Sequence, residues 1–179
     1  GTYTKCPVSN DVVQAPEECS PVGYGDTGDS VSGGGTLYPA INRWFSGWLD
    51  DSQAAVISKT GLYRLGVLGK EGPQLYMINR PTEPQLIALE YRQPTPFDEF
   101  SPTDNRVTGV WIRYSSLNGT VRNVQLDASP ETATTNDPTL QPGRTLEDAT
   151  AKIKIKVCAT DKAGASLAIA INGQGLPYC

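Results

Sequence analysis

The chain has 179 residues and a formal net charge of −4, with 19 acidic side chains, 15 basic side chains and no histidine. This length suffices for one domain with a hydrophobic core. The acidic balance excludes a basic nucleic-acid surface, and no apolar run is long enough for membrane insertion. Without histidine, Ser-His-Asp and Cys-His catalytic sites are excluded, and so is any zinc site that depends on imidazole.

Residues 1–35 are rich in proline and glycine, and we predict a loop-rich N-terminal segment closed by a disulfide, with regular structure indicated only for a short run at 11–14. The four cysteines of the chain form no Cys-x-x-Cys pair, and an even number of them allows three disulfide connectivities. We predict the pairs Cys6–Cys19 and Cys158–Cys179, which indicate an oxidising, secreted or cell-surface location. No signal peptide is visible after Gly1, so we expect a mature or truncated product.

Residues 24–51 combine a glycine-rich turn at 33–35 with the best helix candidate of the chain. Thr36 is a predicted N-cap, and Pro39 suits a first helical turn. Four apolar residues recur at i, i+3, i+4 and i+7 and form one predicted stripe: Ile41, Trp44, Phe45 and Trp48. We expect this short helix, including Trp48, to be buried against the downstream strands.

After the helix, turn residues separate short apolar or alternating segments, which is typical of an all-β domain. The polar, proline-containing residues 127–144 are predicted to form a long surface connection. We therefore predict a mainly β fold, an antiparallel sandwich or barrel of about eight strands, in which residues 36–179 pack as one unit. The predicted strands are 54–58, 61–68, 74–79, 85–92, 106–115, 121–126, 151–159 and 167–172.

The pair Asn118-Gly119 lies between two predicted strands and favours a hairpin turn. With Thr120 it also forms a sequon for glycosylation. The segment from Lys152 to Cys158 alternates lysine with apolar residues, so one face of that strand should be wet and the other buried.

Carboxylates are the remaining candidates for chemistry. Asp26-Thr27-Gly28 matches the three-residue signature of aspartic proteases, where two carboxylates share a proton, so Asp26 would act in a homodimer. Glu90 with Asp98 or Glu99 has the composition of a glycosidase pair. The alternative is that these carboxylates are solvated, or that Glu90 pairs with Arg92 or Arg113.

Calcium is the only cofactor that the residues suggest, because carboxylates supply the hard oxygen ligands that it prefers. The spacing matches no EF-hand. The candidate ligands are Asp26, Asp29, Asp50 and Asp51.

A series of short motifs occurs in order between about Cys6 and Ala159. They are Gly23-Tyr24-Gly25-Asp26, Arg43-Trp-Phe-Ser-Gly-Trp-Leu, Ser58-Lys-Thr-Gly-Leu-Tyr-Arg-Leu, Leu89-Glu-Tyr-Arg-Gln-Pro-Thr-Pro-Phe-Asp, Gly109-Val-Trp-Ile-Arg-Tyr, Leu126-Asp-Ala-Ser-Pro and Leu140-Gln-Pro-Gly-Arg-Thr-Leu-Glu-Asp. This order resembles the part of gametolysin-type secreted zinc metallopeptidases that follows the zinc-binding helix. The resemblance implies the C-terminal, β-rich part of such a protein.

Two features depart from that family. Its zinc motif, His-Glu-x-x-His-x-x-Gly-x-x-His, should precede Gly1 and is absent. Ser32 stands at the position of the Met-turn methionine, and the only methionine is Met77. The resemblance therefore implies a chain that does not hold the catalytic zinc by itself.

Three functions follow as hypotheses. The first is a catalytically silent, metallopeptidase-like domain that binds a missing or cleaved N-terminal half, or presents a surface to substrate or glycan. The second is a self-assembling or adhesive extracellular subunit whose partners are copies of itself. The third is the aspartic-protease-like homodimer that uses Asp26.

Overall fold

The computed structural model describes residues 1–32 and 36–179, which form two β-sheets with few helices. These ranges contain thirteen strands, more than the eight or so predicted. Their helices are α1 (Ala40–Phe45), α2 (Asn105–Thr108) and a 3-10 helix, Ser30–Ser32. The predicted turn at 33–35 lies outside the described residues. In chain order the strands are β1 (Thr2–Lys5), β2 (Val8–Ser9), β3 (Val12–Gln14), β4 (Ser20–Gly23), β5 (Ala54–Val56), β6 (Gly61–Leu65), β7 (Leu75–Asn79), β8 (Leu86–Tyr91), β9 (Val110–Leu117), β10 (Val121–Asp127), β11 (Thr145–Asp148), β12 (Ile153–Asp161) and β13 (Gly164–Ala170).

The two sheets are open and sandwich-like. One has seven strands in the order β4-β1-β10-β9-β8-β7-β5, and the other has six in the order β2-β3-β11-β12-β13-β6. Most neighbouring strands are antiparallel, but β1 with β10, β3 with β11, and β5 with β7 are parallel. Each sheet ends in two edge strands, so the barrel alternative is wrong.

A single hydrophobic core joins the two sheets. From β12 it receives Ile153, Ile155 and Val157, while the lysines between them are only half-buried. The seven-stranded sheet contributes residues such as Ile87 and Tyr114. The alternation predicted for this strand is therefore confirmed, because its apolar side faces the opposite sheet.

The other face of the seven-stranded sheet is covered by α1 and the residues around it. Ile41 is fully buried in a second apolar cluster with Leu75 and Met77. Trp48 is 62% exposed, so the predicted burial of this side chain is wrong. The helix ends at Phe45, and Gly47 has φ +76°, which turns the chain out of the helical path before it reaches Trp48.

Residues 1–32 contain more regular structure than predicted. β1 lies parallel to β10, with Tyr3 opposite Gln125, and β3 lies parallel to β11, with Val13 opposite Leu146. The partners of these short strands come from the far end of the chain. Local composition indicated the short run at 11–14 that becomes β3, but it predicted a loop where long-range pairing forms β1.

Two further boundaries differ from the prediction. Asp104 caps α2, since its side chain accepts a 2.9 Å hydrogen bond from the Arg106 N–H, so Arg106 is helical and β9 begins at Val110. The connection after β10 is not only a surface segment: Leu140 is fully buried and exchanges backbone hydrogen bonds of 2.9 and 3.0 Å with Val110.

Both predicted disulfides are present, Cys6–Cys19 and Cys158–Cys179, and the described residues contain no free cysteine. The first links the residue after β1 to the residue before β4, two strands that already pair. The second fastens the C-terminal residue to β12. The hairpin turn at Asn118-Gly119 is also confirmed, because it joins the antiparallel strands β9 and β10 and Gly119 has φ +74°.

Candidate functional site

A row of charged and polar side chains lies buried on the outer face of the seven-stranded sheet. The register places Gln125 opposite Arg113 across β10 and β9, and Glu90 opposite Trp111 across β8 and β9. All four side chains are buried. Burial of a charged side chain costs free energy unless a partner of opposite charge compensates it, so each of these charged groups should have such a partner.

Arg113 binds Asp26, which reaches it from the segment that covers the sheet. Both Arg113 terminal nitrogens donate to the Asp26 carboxylate, and Asp26 is only 1% exposed. The Gly28 N–H donates to Asp26 Oδ1 at 3.0 Å. Burial opposes ionisation, but the Arg113 guanidinium outweighs it and lowers the pKa of Asp26 below its ordinary value.

Arg92 binds two further carboxylates, those of Glu90 and Asp98. Its Nη2 lies 2.6 Å from Glu90 Oε1, and its Nη1 lies 3.5 Å from Asp98 Oδ2. The same side chain donates to the Gly28 carbonyl at 2.7 Å, and its guanidinium carbon lies 4.8 Å from the centre of the Trp111 ring. A Cβ at Gly28 would collide with that ring, so the close approach requires glycine.

The carboxylates also hold the start of the helix. Glu90 Oε2 accepts the Ala40 N–H, the first of α1, and Asp98 Oδ1 accepts the Leu37 N–H at 2.8 Å. In the described part of the chain no N-cap side chain accepts from the start of α1, so Glu90 fills the role predicted for Thr36. The network therefore fastens the covering segment to the sheet.

These contacts decide between catalysis and ion pairing, the alternative roles predicted for the carboxylates. The pairing of Glu90 with Arg92 is present, and Asp98 binds the same arginine, so neither carboxylate faces an open cleft. Glu99 is exposed beside them. Asp26 has no surface open to a peptide, which gives no support to the aspartic-protease reading.

The four predicted calcium ligands are not brought together. Asp26 binds Arg113, whereas Asp50 and Asp51 lie exposed in the turn after α1, where Asp50 Oδ1 accepts the Ser52 N–H at 2.8 Å. Asp29 Oδ1 accepts the Val31 N–H at 3.0 Å. Among the described residues, no group of three or more Asp, Glu, Cys or His side chains converges as a metal site would.

A second buried polar group lies at the other end of the row and was not predicted. Tyr3 and Asp127 are fully buried on β1 and β10. Burial and then the nearby Asp127 carboxylate raise the pKa of the Tyr3 hydroxyl. Burial also raises the pKa of Asp127, and the charge of Asp137 adds to this effect.

An open pocket lies beside α1, around the exposed indole of Trp48. The pocket has a volume of about 430 Å³. Tyr38 packs edge-on against Trp48, with 5.9 Å between ring centres, and so orients the indole. The lining residues are Arg43, Trp48, Leu49, Gln53, Gly69, Lys70, Glu71 and Gln74, and we call this site the Trp48 pocket.

Several donors in the Trp48 pocket are available to a ligand. Arg43 donates through Nε to the Tyr38 carbonyl at 3.2 Å, and its terminal nitrogens have no acceptor among residues 1–32 and 36–179. Gln53 accepts the Asp50 N–H through Oε1, and no described residue accepts from its amide nitrogen. Sequence reasoning missed this pocket because it assigned Trp48 to the core.

No helix in the described ranges is long and apolar enough to cross a membrane. Comparison with protein-family models, with curated proteins and with solved structures finds no match to this chain.

Proposed function

We propose that this chain is a secreted, catalytically silent binding domain that recognises a carbohydrate through the Trp48 pocket. The observation that carries the proposal is an indole 62% exposed to solvent beside the unpaired donors of Arg43 and Gln53. Two disulfides support an oxidising, extracellular setting. The motif order that resembles gametolysin-type metallopeptidases is consistent with a domain that accompanies a catalytic half.

The residues of the pocket match the chemistry of a sugar. The apolar face of a sugar ring packs on an exposed indole, and guanidinium and amide groups donate to ring oxygens and hydroxyls. Arg43 and Lys70 outnumber the one acid, Glu71, in a chain whose net charge is −4. This local positive balance favours sugars that carry carboxylates, such as uronic acids.

Isothermal titration calorimetry with oligogalacturonates, and with neutral cello-oligosaccharides for comparison, tests the proposal. We expect binding of the acidic sugar, and a loss of about tenfold or more in affinity, equal to about 1.4 kcal/mol, in Trp48→Ala. Phe45→Ala is the matched control, because Phe45 is also exposed but does not line the pocket. The absence of binding to either sugar, or equal binding by both variants, would reject the site.

Catalytic silence is tested separately. The chain contains no histidine, and all four cysteines form disulfides. We expect no cleavage of a mixed protein substrate from about pH 3 to pH 8, with or without added zinc or a chelator. Chelator-sensitive cleavage at neutral pH, or acid cleavage that disappears in Asp26→Asn, would overturn this part.

Self-assembly is a second candidate, favoured by the edge of the six-stranded sheet. β6 pairs only with β13 in that sheet, and Leu62 on β6 is 60% exposed. An unprotected edge strand can pair with a second copy. Light scattering coupled to size exclusion should then show association that Leu62→Lys abolishes; a monomer at every concentration rejects this candidate.

A further inference from the structure

Three buried side-chain oxygens near β1 and β10 have no hydrogen-bond partner among the described residues. They are Tyr3 Oη, Asp127 Oδ2 and Asp137 Oδ1. Tyr3 and Asp127 have no exposed surface at all. Buried polar atoms without partners are rare in folded proteins and commonly indicate a bound water or ion.

The topology explains how three residues so far apart in sequence become neighbours. β1 lies parallel to β10, so Tyr3 and Lys5 stand opposite Gln125 and Asp127 on one face of the sheet. The chain then folds back, and the Ala128 N–H donates to the Pro138 carbonyl at 2.9 Å, which sets Asp137 beside the end of β10. We call these residues the Tyr3–Asp127–Asp137 cluster.

Each carboxylate of the cluster uses one oxygen for the protein and leaves the other without a donor. Asp127 Oδ1 accepts the Ser129 N–H at 2.9 Å, and Asp137 Oδ2 accepts the Thr132 hydroxyl at 2.7 Å. Burial raises the pKa of Asp127 and the charge of Lys5 on β1 acts to lower it, but the Lys5 Nζ donates to the Thr132 carbonyl at 3.3 Å. Two neighbouring carboxylates with a free oxygen each favour a positive charge between them.

We propose that the Tyr3–Asp127–Asp137 cluster binds a calcium ion. Carboxylate and water oxygens are ligands that calcium prefers, and calcium tolerates an irregular set of them. The Tyr3 hydroxyl would donate to one of the bound waters. Asp137 also lines an open cavity of about 620 Å³, with Ser129, Glu131 and Thr132. Arg144 pairs with Asp11 and Glu131 in this cavity, which leaves Asp137 as its unpaired acid among the described residues. The cavity gives the ion and its remaining water ligands a route to the cluster.

The site is independent of the Trp48 pocket and of the four aspartates that the sequence suggested. It joins the first strand of the chain to the connection after β10. Calcium bound there would hold these segments together by ligand bonds from both. We expect an affinity in the range of extracellular calcium modules, about 0.1–1 mM.

Terbium luminescence tests the site directly, because terbium replaces calcium and is sensitised by a tyrosine beside it. Excitation of tyrosine in the intact chain should give terbium emission that calcium displaces. Asp137→Asn should weaken terbium binding about tenfold or more, a loss that even outer ligand-shell residues can cause. Asp11→Asn is the matched control, since Asp11 lines the same cavity but lies at its exposed side against Arg144.

A second readout guards against a variant that fails to fold. Calcium should raise the melting temperature of the wild-type chain by a few degrees over the same sample with a chelator. Asp127→Asn, if it folds, and Asp137→Asn should lose this difference, whereas Asp11→Asn should retain it. The proposal would be overturned if the wild-type chain gave no terbium emission, or if emission were unchanged in both cluster variants. A wild-type melting temperature that does not change with calcium would also overturn it.

Discussion

At the scale of single residues, the ion pair of Asp26 and Arg113 shows how burial changes the contribution of a charged side chain to the stability of the fold. Their side chains are 0% and 1% exposed. Forming such a pair gains little net stability, because both ions lose their hydration. Removing one partner is different, since the other charge is then left buried without the ion that pairs with it.

We therefore expect Asp26→Asn to lower the free energy of unfolding by about 3–5 kcal/mol. Urea denaturation monitored by tryptophan fluorescence measures the change. Asp161→Asn is the matched control, because Asp161 forms a bidentate pair with Arg64 at 2.7 and 2.8 Å but lies at the surface. That variant should show little change. Similar losses in the two variants would contradict the role assigned to burial.

The same pair predicts how stability depends on pH. The pKa of Asp26 in the folded chain is lower than its ordinary value of 3.8. As pH falls below that value, the unfolded chain takes up a proton before the folded chain does, so the stabilisation from this carboxylate is lost. The difference in unfolding free energy between wild type and Asp26→Asn should be constant near neutral pH and shrink below pH 3.8. A difference that stays constant in acid would contradict the lowered pKa.

At the scale of elements, α1 shows that an apolar stripe does not decide which side chains are buried. Ile41 is fully buried, whereas Phe45 is 45% exposed and Trp48 is 62% exposed. The helix is six residues long and is held at its start by Glu90 and Asp98. Its first turn and Trp44 therefore carry the packing, whereas Phe45 and Trp48 face solvent.

Ile41→Ala should cost about 2–5 kcal/mol, as expected when a buried side chain is truncated. Trp48→Ala should cost less than about 1 kcal/mol, because most of the indole is already in water. Thermal unfolding of the two variants side by side compares them. A larger loss of stability in Trp48→Ala than in Ile41→Ala would show that this face of the helix is assigned wrongly.

The two disulfides should also differ in effect. Cys6–Cys19 closes a loop of 13 residues between paired strands, and replacing both cysteines by serine should cost about 2–4 kcal/mol. Hydrogen exchange should then rise first in β1–β4. Replacing Cys158 and Cys179 should mainly release the residues after β13, which form no regular structure. Equal exchange changes across the sheets in both variants would contradict this division.

At the scale of the whole molecule, one core holds together parts from both ends of the chain. Val13 near the N-terminus and Ile155 near the C-terminus belong to the same apolar cluster as Ile87 in the opposite sheet. Loss of either sheet would expose the apolar face of the other. The two sheets are therefore expected to unfold together.

Denaturation should show one transition, with the same midpoint by far-UV circular dichroism and by tryptophan fluorescence. Trp111 is buried on the outer face of the seven-stranded sheet and reports on that face, while circular dichroism reports on all strands. Separate midpoints would mean that the N-terminal residues, or one sheet, form an independent folding unit.

Most strands from residue 54 onward could be predicted from the sequence, because alternating apolar residues and turn residues are local signals. The exception is β11 (Thr145–Asp148), which was not predicted. The dipeptide Asn118-Gly119 correctly predicted a hairpin turn. The buried face of β12 was also predicted, because lysines alternate with apolar residues along this strand. The two disulfides were also predicted, and each joins cysteines that lie close together in the sequence. These features depend on near neighbours in sequence, which is why they were predictable.

The candidate sites depended on tertiary structure. Trp111 and Arg113 alternate with Ile112 in a predicted strand, and nothing local shows that both faces of that strand are buried. The charge of Arg113 is neutralised by Asp26, 87 residues away, and Tyr3 meets Asp127 only because β1 pairs with β10. Trp48 faces solvent because the chain leaves the helix at Gly47. The sequence by itself determined the local elements, whereas long-range pairing decided which polar groups were buried together, because burial is a property of the assembled sheets.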